Sequence, residues 1–193
     1  MRHFTIAAAL FVAMCGLAQA QPAAPAGAPP APRPAPLTLT TTAFEDGGVI
    51  PDKFTAKAAP AAAVSPALSW TNVPAGTQSF ALIMHDLDVV IARSLNDNLH
   101  WIAFNIPATA TSLPEGVATT ATLPDGTVQL KNRTSFGYAG PGAPPGNYHH
   151  YIFELVALDT KLNLTSDATR DQVVAAINGH VLGKGTYIGK FHR

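Results

Sequence analysis

Five residues in three separated stretches have side chains and spacing suited to capturing a small charged ligand: Asp86, Asp88, His100, His149 and Tyr151. Asp86 and Asp88 follow the apolar run Phe80 to Met84. If extended backbone continues this far, the two carboxylates share a face roughly 6.6 Å apart. His100 opens a second run, in which His100, Ile102, Phe104 and Ile106 alternate with Trp101, Ala103 and Asn105. The third stretch, Gly140 to Tyr151, reads GPGAPPGNYHHY. Its glycines and prolines make a rigid loop whose amide N–H groups can point at one spot and hold an anion. Alternation then pairs His149 with Tyr151 on one face and turns His150 away. Histidine and tyrosine both donate hydrogen bonds, and a protonated imidazole adds charge. A carboxylate within about 4–6 Å raises a histidine pKa, which favours anion capture as pH falls toward about 6.

Other readings of the same residues compete. Two histidines and two aspartates could form a metal set or an acid–base pair. The chain, however, has no H-x-x-x-H pair and no G-x-S-x-G nucleophile motif. Asp86 and Asp88 also suit turns, where carboxylates cap backbone N–H groups. His85 alternates away from Asp86 and reads as structural. Trp70 and Trp101 read as core. His180 and His192 carry no assigned role, and Lys184, Lys190, His192 and Arg193 form a mildly basic, solvated tail.

The elements that must position these residues are short and β-rich. Phe80 to Met84 suits a strand buried on both faces, and His100 to Ile106 and His149 to Leu158 suit two more. Leu37 to Phe44 alternates as a strand ended by Asp46-Gly47-Gly48. Ser65 to Trp70, Thr127 to Lys131 and Thr186 to Phe191 are shorter candidates, the last as an edge strand. Many short strands with regular turn signals point to an all-β sandwich or barrel. One helix stands out late, with Thr169 as N-cap, Asp171 in its first turn, and Val173, Val174 and Ile177 facing inward before Gly179.

Composition adds exclusions. Twelve basic and twelve acidic side chains cancel across 193 residues, so there is no electrostatic footprint for nucleic acid. Residues 1–20 have the form of a signal peptide: Arg2 and His3, an apolar run from Phe4 to Leu17, and small residues up to Ala20. That run is too short to span a bilayer, which takes about 20 apolar residues. Cleavage after Ala20 would remove the lone Cys15 and deliver the protein to the periplasm or the medium without disulfides. Met14 before Cys15 disfavours lipidation. Residues 21–36 are almost entirely alanine and proline, a tether that favours extended conformations. A domain over 37–193 is long enough to rely on its own core.

The motifs together resemble the phosphatidylethanolamine-binding protein family, specifically its bacterial, Raf-kinase-inhibitor-like branch. The carriers are SPALSW at Ser65 to Trp70 with VPAGTQSFAL after it, the D-x-D at Asp86 and Asp88, HWIAFNIP at His100 to Pro107, and the G-P, P-P-G and H-x-Y series from Gly140 to Tyr151. Their order and spacing carry the likeness, which covers essentially all of Leu37 to Arg193. The resemblance implies a two-sheet antiparallel Greek-key sandwich with a C-terminal helix. It also implies a small pocket near one end for a phosphorylated head group or small anion, lined by Asp86, Asp88, His100, Gly140, Pro141, His149 and Tyr151. It implies a binding protein with no cofactor, not an enzyme. It permits inhibition of a protein partner, for an exported chain an envelope protease more readily than a kinase, and pairing as a homodimer; a metal-dependent hydrolase ranks third. Two departures stand out. The family usually reads D-P-D-A-P, where this chain has Asp86-Leu87-Asp88-Val89-Val90, so the rim is expected to be more mobile and more apolar. Gly142-Ala143 stands where bacterial relatives often carry a cysteine.

Overall fold

The computed structural model describes residues 35–58, 62–91, 93, 96–132 and 135–193. The expected signal peptide and all but the last two residues of the tether lie outside them.

Strand β4, Ser79–Asp86, is buried at every position, and this decides where everything else packs. Phe80, Leu82 and Met84 enter one core with Trp70, Trp101 and Phe153. Ala81 and Ile83 enter a second with Ile102, Phe104, Val173 and Ile177. A strand covered on both sides needs apolar residues in both registers, which is what the run Phe80 to Met84 supplies. On its flanks lie β5, Asn98–Pro107, and β8, His149–Leu158.

With β2 (Gly48–Val49), β7 (Val128–Gln129) and β9 (Val181–Phe191), these make a six-stranded sheet in the order β2-β9-β8-β4-β5-β7. A three-stranded sheet, β1-β3-β6, is built from Thr38–Thr40, Leu68–Thr71 and Ser112–Leu113. Trp70 of β3 meets Phe80 of β4 edge-on at 5.3 Å, so the two sheets share the first core. Helix α1, Arg170–Ile177, covers the opposite face of the larger sheet. Among the described residues no helix is long and apolar enough to cross a membrane.

The strand-rich, two-sheet, one-helix expectation holds, with local corrections. β1 stops at Thr40, because the Thr41 hydroxyl bonds the Ala67 carbonyl at 2.6 Å and receives the Ala43 N–H at 3.1 Å, folding the chain into a turn before Phe44. β2 pairs with β9 in parallel, so the larger sheet is not wholly antiparallel. β9 runs for eleven residues beside β8, longer and less marginal than the edge strand expected at Thr186 to Phe191. The helix is capped by a reciprocal Thr169–Gln172 box, as its N-terminal sequence implied. It buries Val173 and Ile177, each contributing about 1.5–3 kcal/mol. Val174 instead faces solvent at 38% exposure.

The alternation expected for β5 fails twice. Across β4–β5, Met84 opposes Trp101 while His85 opposes Leu99, and Phe80 opposes Ile106 while Leu82 opposes Ala103. Each shift inserts one extra residue into β5, near His100 and near Asn105, whose φ is +57°. Ile106 therefore joins Trp101 and Ala103 in the first core, leaving Ile102 and Phe104 in the second. The bulge near His100 matters more, because it turns that imidazole away from the helix side and onto the face that carries Tyr151.

Candidate functional site

The site lies at the end of the larger sheet where β4 leaves and β5 and β8 begin. Asp86 closes β4 and faces Tyr151 directly across the β4–β8 ladder. Period-two alternation along β8 puts His149 on the same side. The His149 Nδ1–H donates to Asp86, at 2.8 Å to Oδ2 and 3.1 Å to Oδ1. The Asp88 N–H adds a third bond to Asp86 Oδ1 at 3.0 Å. A carboxylate exposed by only 3% is thus held by protein donors, which offsets much of the cost of burying it. His149 keeps Nε2 for the pocket.

His100 is fixed from both sides. Its Nδ1–H donates to the Ala139 carbonyl at 2.8 Å, and the Asn98 side-chain amide meets Nε2 at 2.9 Å. Its ring stands edge-on to Tyr151, with centroids 5.1 Å apart. A backbone carbonyl and an asparagine thus orient this ring.

These side chains line a cavity of about 410 Å³, with Gly140, Gly142 and Ala143 on one wall and Val89 and Arg193 at its mouth. Gly140 is required by close packing. A Cβ there would sit 2.6 Å from the Ala63 Cβ and 2.9 Å from the Phe54 carbonyl oxygen. The same wall is anchored by the Ala56 N–H donating to Pro141 O at 2.8 Å, and by the Tyr138 hydroxyl donating to Phe54 O at 2.6 Å.

Tyr151 is the residue whose chemistry is least settled by the protein around it. It is fully buried. Among the described residues its hydroxyl oxygen has no hydrogen-bond partner. Burial first, and then the neighbouring Asp86 charge, push its pKa well above the ordinary tyrosine value and keep the phenol protonated, while backbone at Gly142 and Ala143 pulls modestly the other way. Asp86 and this backbone therefore stand close enough to be felt without completing a bond of good geometry. A buried, unpaired hydroxyl costs about 1–3 kcal/mol. Its place in the cavity wall makes it the natural partner of a ligand.

Of the seven residues expected here, Asp86, His100, Gly140, His149 and Tyr151 line the cavity. Asp88 does not. The strand ends at Asp86, and the bend that follows swings the Asp88 carboxylate onto His150, whose backbone N–H and Nδ1 it accepts at 2.5 and 2.9 Å. Burial alone would raise the Asp88 carboxyl, but these His150 contacts hold it below its ordinary value. Pro141 is likewise a buttress behind the wall rather than part of it. With Asp88 gone, the metal-ligand reading loses a donor, and among the described residues no group of three or more His, Cys, Asp or Glu side chains is placed to hold a metal ion. Asn98, Asn132 and Arg193 line the cavity unforeseen. Only Asn98, two positions before His100, had a signal in the sequence that could have found it.

A larger hollow of about 530 Å³ lies at the other end of the sheet, lined by Pro36, Val73, Pro74 and Leu182 among others. Its one titratable side chain, Lys184, is tied to Glu154 at 2.7 Å. Convergent polar groups distinguish the first cavity.

A β-rich scaffold with a small polar pocket at one end of its main sheet defines a ligand-binding class of protein. The chain belongs to the phosphatidylethanolamine-binding protein family, whose model matches residues 40–192. It is 42% identical over 156 residues to a UPF0098 protein of Methanothermobacter thermautotrophicus, covering 80% of this chain and 98% of that one. It is 35% identical over 133 residues to the UPF0098 protein YbhB of Escherichia coli, covering 66% and 81%. Among solved structures it is similar to a phosphatidylethanolamine-binding protein homologue of Chlamydia trachomatis, with TM-score 0.70, 30% identity, and 82% and 98% of the two chains covered. Escherichia coli YbcL also has TM-score 0.70, at 28% identity with 82% and 99% covered.

Proposed function

We propose that this pocket binds a small oxyanion, the phosphate of a head group or a free phosphate, and that the protein acts as a binding module rather than a catalyst. The observation that carries the reading is the Tyr151 hydroxyl, buried and unpartnered in the wall that also presents His149. Around it the donors are suitably arranged. The Asp86 charge is occupied by His149 and the Asp88 N–H, so it does not confront the anion bare. His149 Nε2 donates when the ring is protonated, and otherwise accepts from a protonated phosphate oxygen. Arg193 supplies a permanent cation at the mouth.

Family membership supports reading the two sheets as a Greek-key sandwich. The leader at 1–20 and the tether at 21–36 support a periplasmic or secreted protein. Intact mass of the protein recovered from the producing cell's envelope and medium tests this; a chain still carrying residues 1–20 in every fraction counts against export.

The binding reading is tested by NMR titration of inorganic phosphate and phosphoethanolamine. His149, His100 and Tyr151 resonances are expected to shift together and saturate at low millimolar ligand, a Kd of about 1 mM corresponding to about 4 kcal/mol. No shift at these residues refutes it. Saturation by phosphoethanolamine alone assigns the ligand to a head group rather than to the free ion.

A further inference from the structure

The end of the sheet that carries the pocket also carries an apolar prong. Leu87 is 53% exposed and Val90 76%, with Ile91 beside them and Tyr148 exposed at 41%. These groups form one surface with the cavity mouth. The Leu87 N–H donates to the His150 carbonyl at 3.2 Å, and His150 pairs with Lys190 across β8–β9. Tyr148 packs on His192 at 4.2 Å and lies 5.4 Å beneath the Lys190 ammonium. Val89 lines the cavity together with Arg193. Lys57 stands 5.2 Å over the Phe191 ring, next to His149 in the β8–β9 register. Among the described residues Lys57, Lys190 and Arg193 form no ion pair, while Asp86 is held by His149 and Asp88 by His150.

Exposed aliphatics at a loop tip, an amphipathic tyrosine and unpaired cations around one opening match a bilayer surface, where apolar groups enter the acyl boundary and cations meet anionic head groups. We infer that the Leu87–Ile91 loop and the Tyr148–Lys190–Arg193 rim dock this protein on an anionic lipid surface, presenting the pocket to a head group still in its membrane. This rests on the oxyanion reading of the pocket and names where the ligand is met. The charge complementarity favours a lipid over a second copy of this chain, which would bring the same cations face to face.

The test uses the full chain with Cys15→Ser and an environment-sensitive fluorophore at Val90→Cys. A probe at Ala75→Cys, exposed in the turn before β4 at the far end of that strand, serves as the control. Phosphatidylglycerol vesicles are expected to blue-shift the probe at position 90 and not at 75, with the effect weakening as salt rises. Leu87→Asp with Val90→Asp is expected to lower vesicle affinity at least about tenfold against a parent with the same N-terminal segment, each aspartate being strongly disfavoured in hydrocarbon. Phosphate titration of the uncharged Leu87→Ser, Val90→Ser variant should be unchanged, since neither residue lines the cavity. If phosphate binds but the probe at 90 stays unmoved by vesicles, the docking surface is overturned and the pocket stands. If phosphate fails to bind, the pocket reading falls by itself. Equal shifts with neutral phosphatidylcholine, or a shift on concentrating the protein without vesicles, overturn the anionic-lipid assignment, the latter in favour of self-association.

Discussion

Replacing Tyr151 by phenylalanine separates a ligand-directed hydroxyl from a structural one, because the two predict opposite changes. The phenol is fully buried and its oxygen has no hydrogen-bond partner among the described residues. An unsatisfied buried hydroxyl costs about 1–3 kcal/mol. Tyr151→Phe removes that penalty and keeps the ring, its edge-on contact with His100 and its packing in the first core. A gain of about 1 kcal/mol in the ligand-free protein is expected, or a rise of about 2–4 °C in Tm for a domain of this size. Affinity moves the other way. A hydrogen bond to a charged acceptor contributes about 1.5–3 kcal/mol, so phosphate binding should weaken by about 10- to 150-fold. Differential scanning fluorimetry without ligand and calorimetric titration with phosphate read the two quantities on the same sample. A variant that melts lower and binds phosphate as well as the parent refutes the reasoning, since its hydroxyl would then be bonded within the protein.

Other consequences can be checked as directly. Asp88→Asn should leave phosphate affinity within about twofold, because its carboxylate serves His150 outside the cavity, whereas Asp86→Asn, which removes the charged acceptor of His149, should cost about 1.5–3 kcal/mol of stability by chemical denaturation. Gly140→Ala must displace backbone at Phe54 and should cost about 1–3 kcal/mol and weaken phosphate binding with it. On the helix side, His85 sits 2.5 Å from Asp97 and 3.4 Å from Glu154, with Arg170 on Asp97 and Lys184 on Glu154. His85, against burial and with help from Lys184, holds the Glu154 carboxyl at about 2, while burial of His85 is outweighed by Glu154 and Asp97, leaving its pKa above 6.5. Glu154 therefore contributes stability above pH 4.5 that is lost as pH falls toward about 2, on the order of 2–3 kcal/mol shared with His85. His85 contributes below pH 6.5 and loses that contribution as pH rises through its raised value. Denaturant midpoints should peak between about pH 5 and 6.5, and His85→Gln should flatten the alkaline limb.

What could be read from the chain in advance was whatever period and composition control. The strands at Phe80, His100 and His149 declare themselves by apolar runs, and the Thr169 cap by its position before Val173. Alternation alone placed His149 with Tyr151 and turned His150 aside. The failures lie where local geometry breaks the period. Extending the strand past Asp86 would have kept Asp88 in the pocket, but the bend begins at once, and its second carboxylate finds the histidine that alternation had set aside. The bulge near His100 reverses the side on which that ring appears, and nothing in Leu99-His100-Trp101 announces an extra residue, because it is set by pairing with β4. Arg193 was read as solvated tail, since only the folded path of β9 brings it beside Gly142. Close approaches such as Gly140 against Ala63 belong to the tertiary fold and leave no trace in spacing.

The central claim is that an oxyanion sits against the Tyr151 hydroxyl at the end of the main sheet. Crystals soaked in arsenate locate the anion independently through the anomalous signal of arsenic. The account predicts one site in the cavity, with an arsenate oxygen about 2.5–3.0 Å from Tyr151 Oη and another in reach of His149 Nε2. Arsenate in the hollow near Leu182 with the Tyr151 cavity empty at a saturating soak would contradict it.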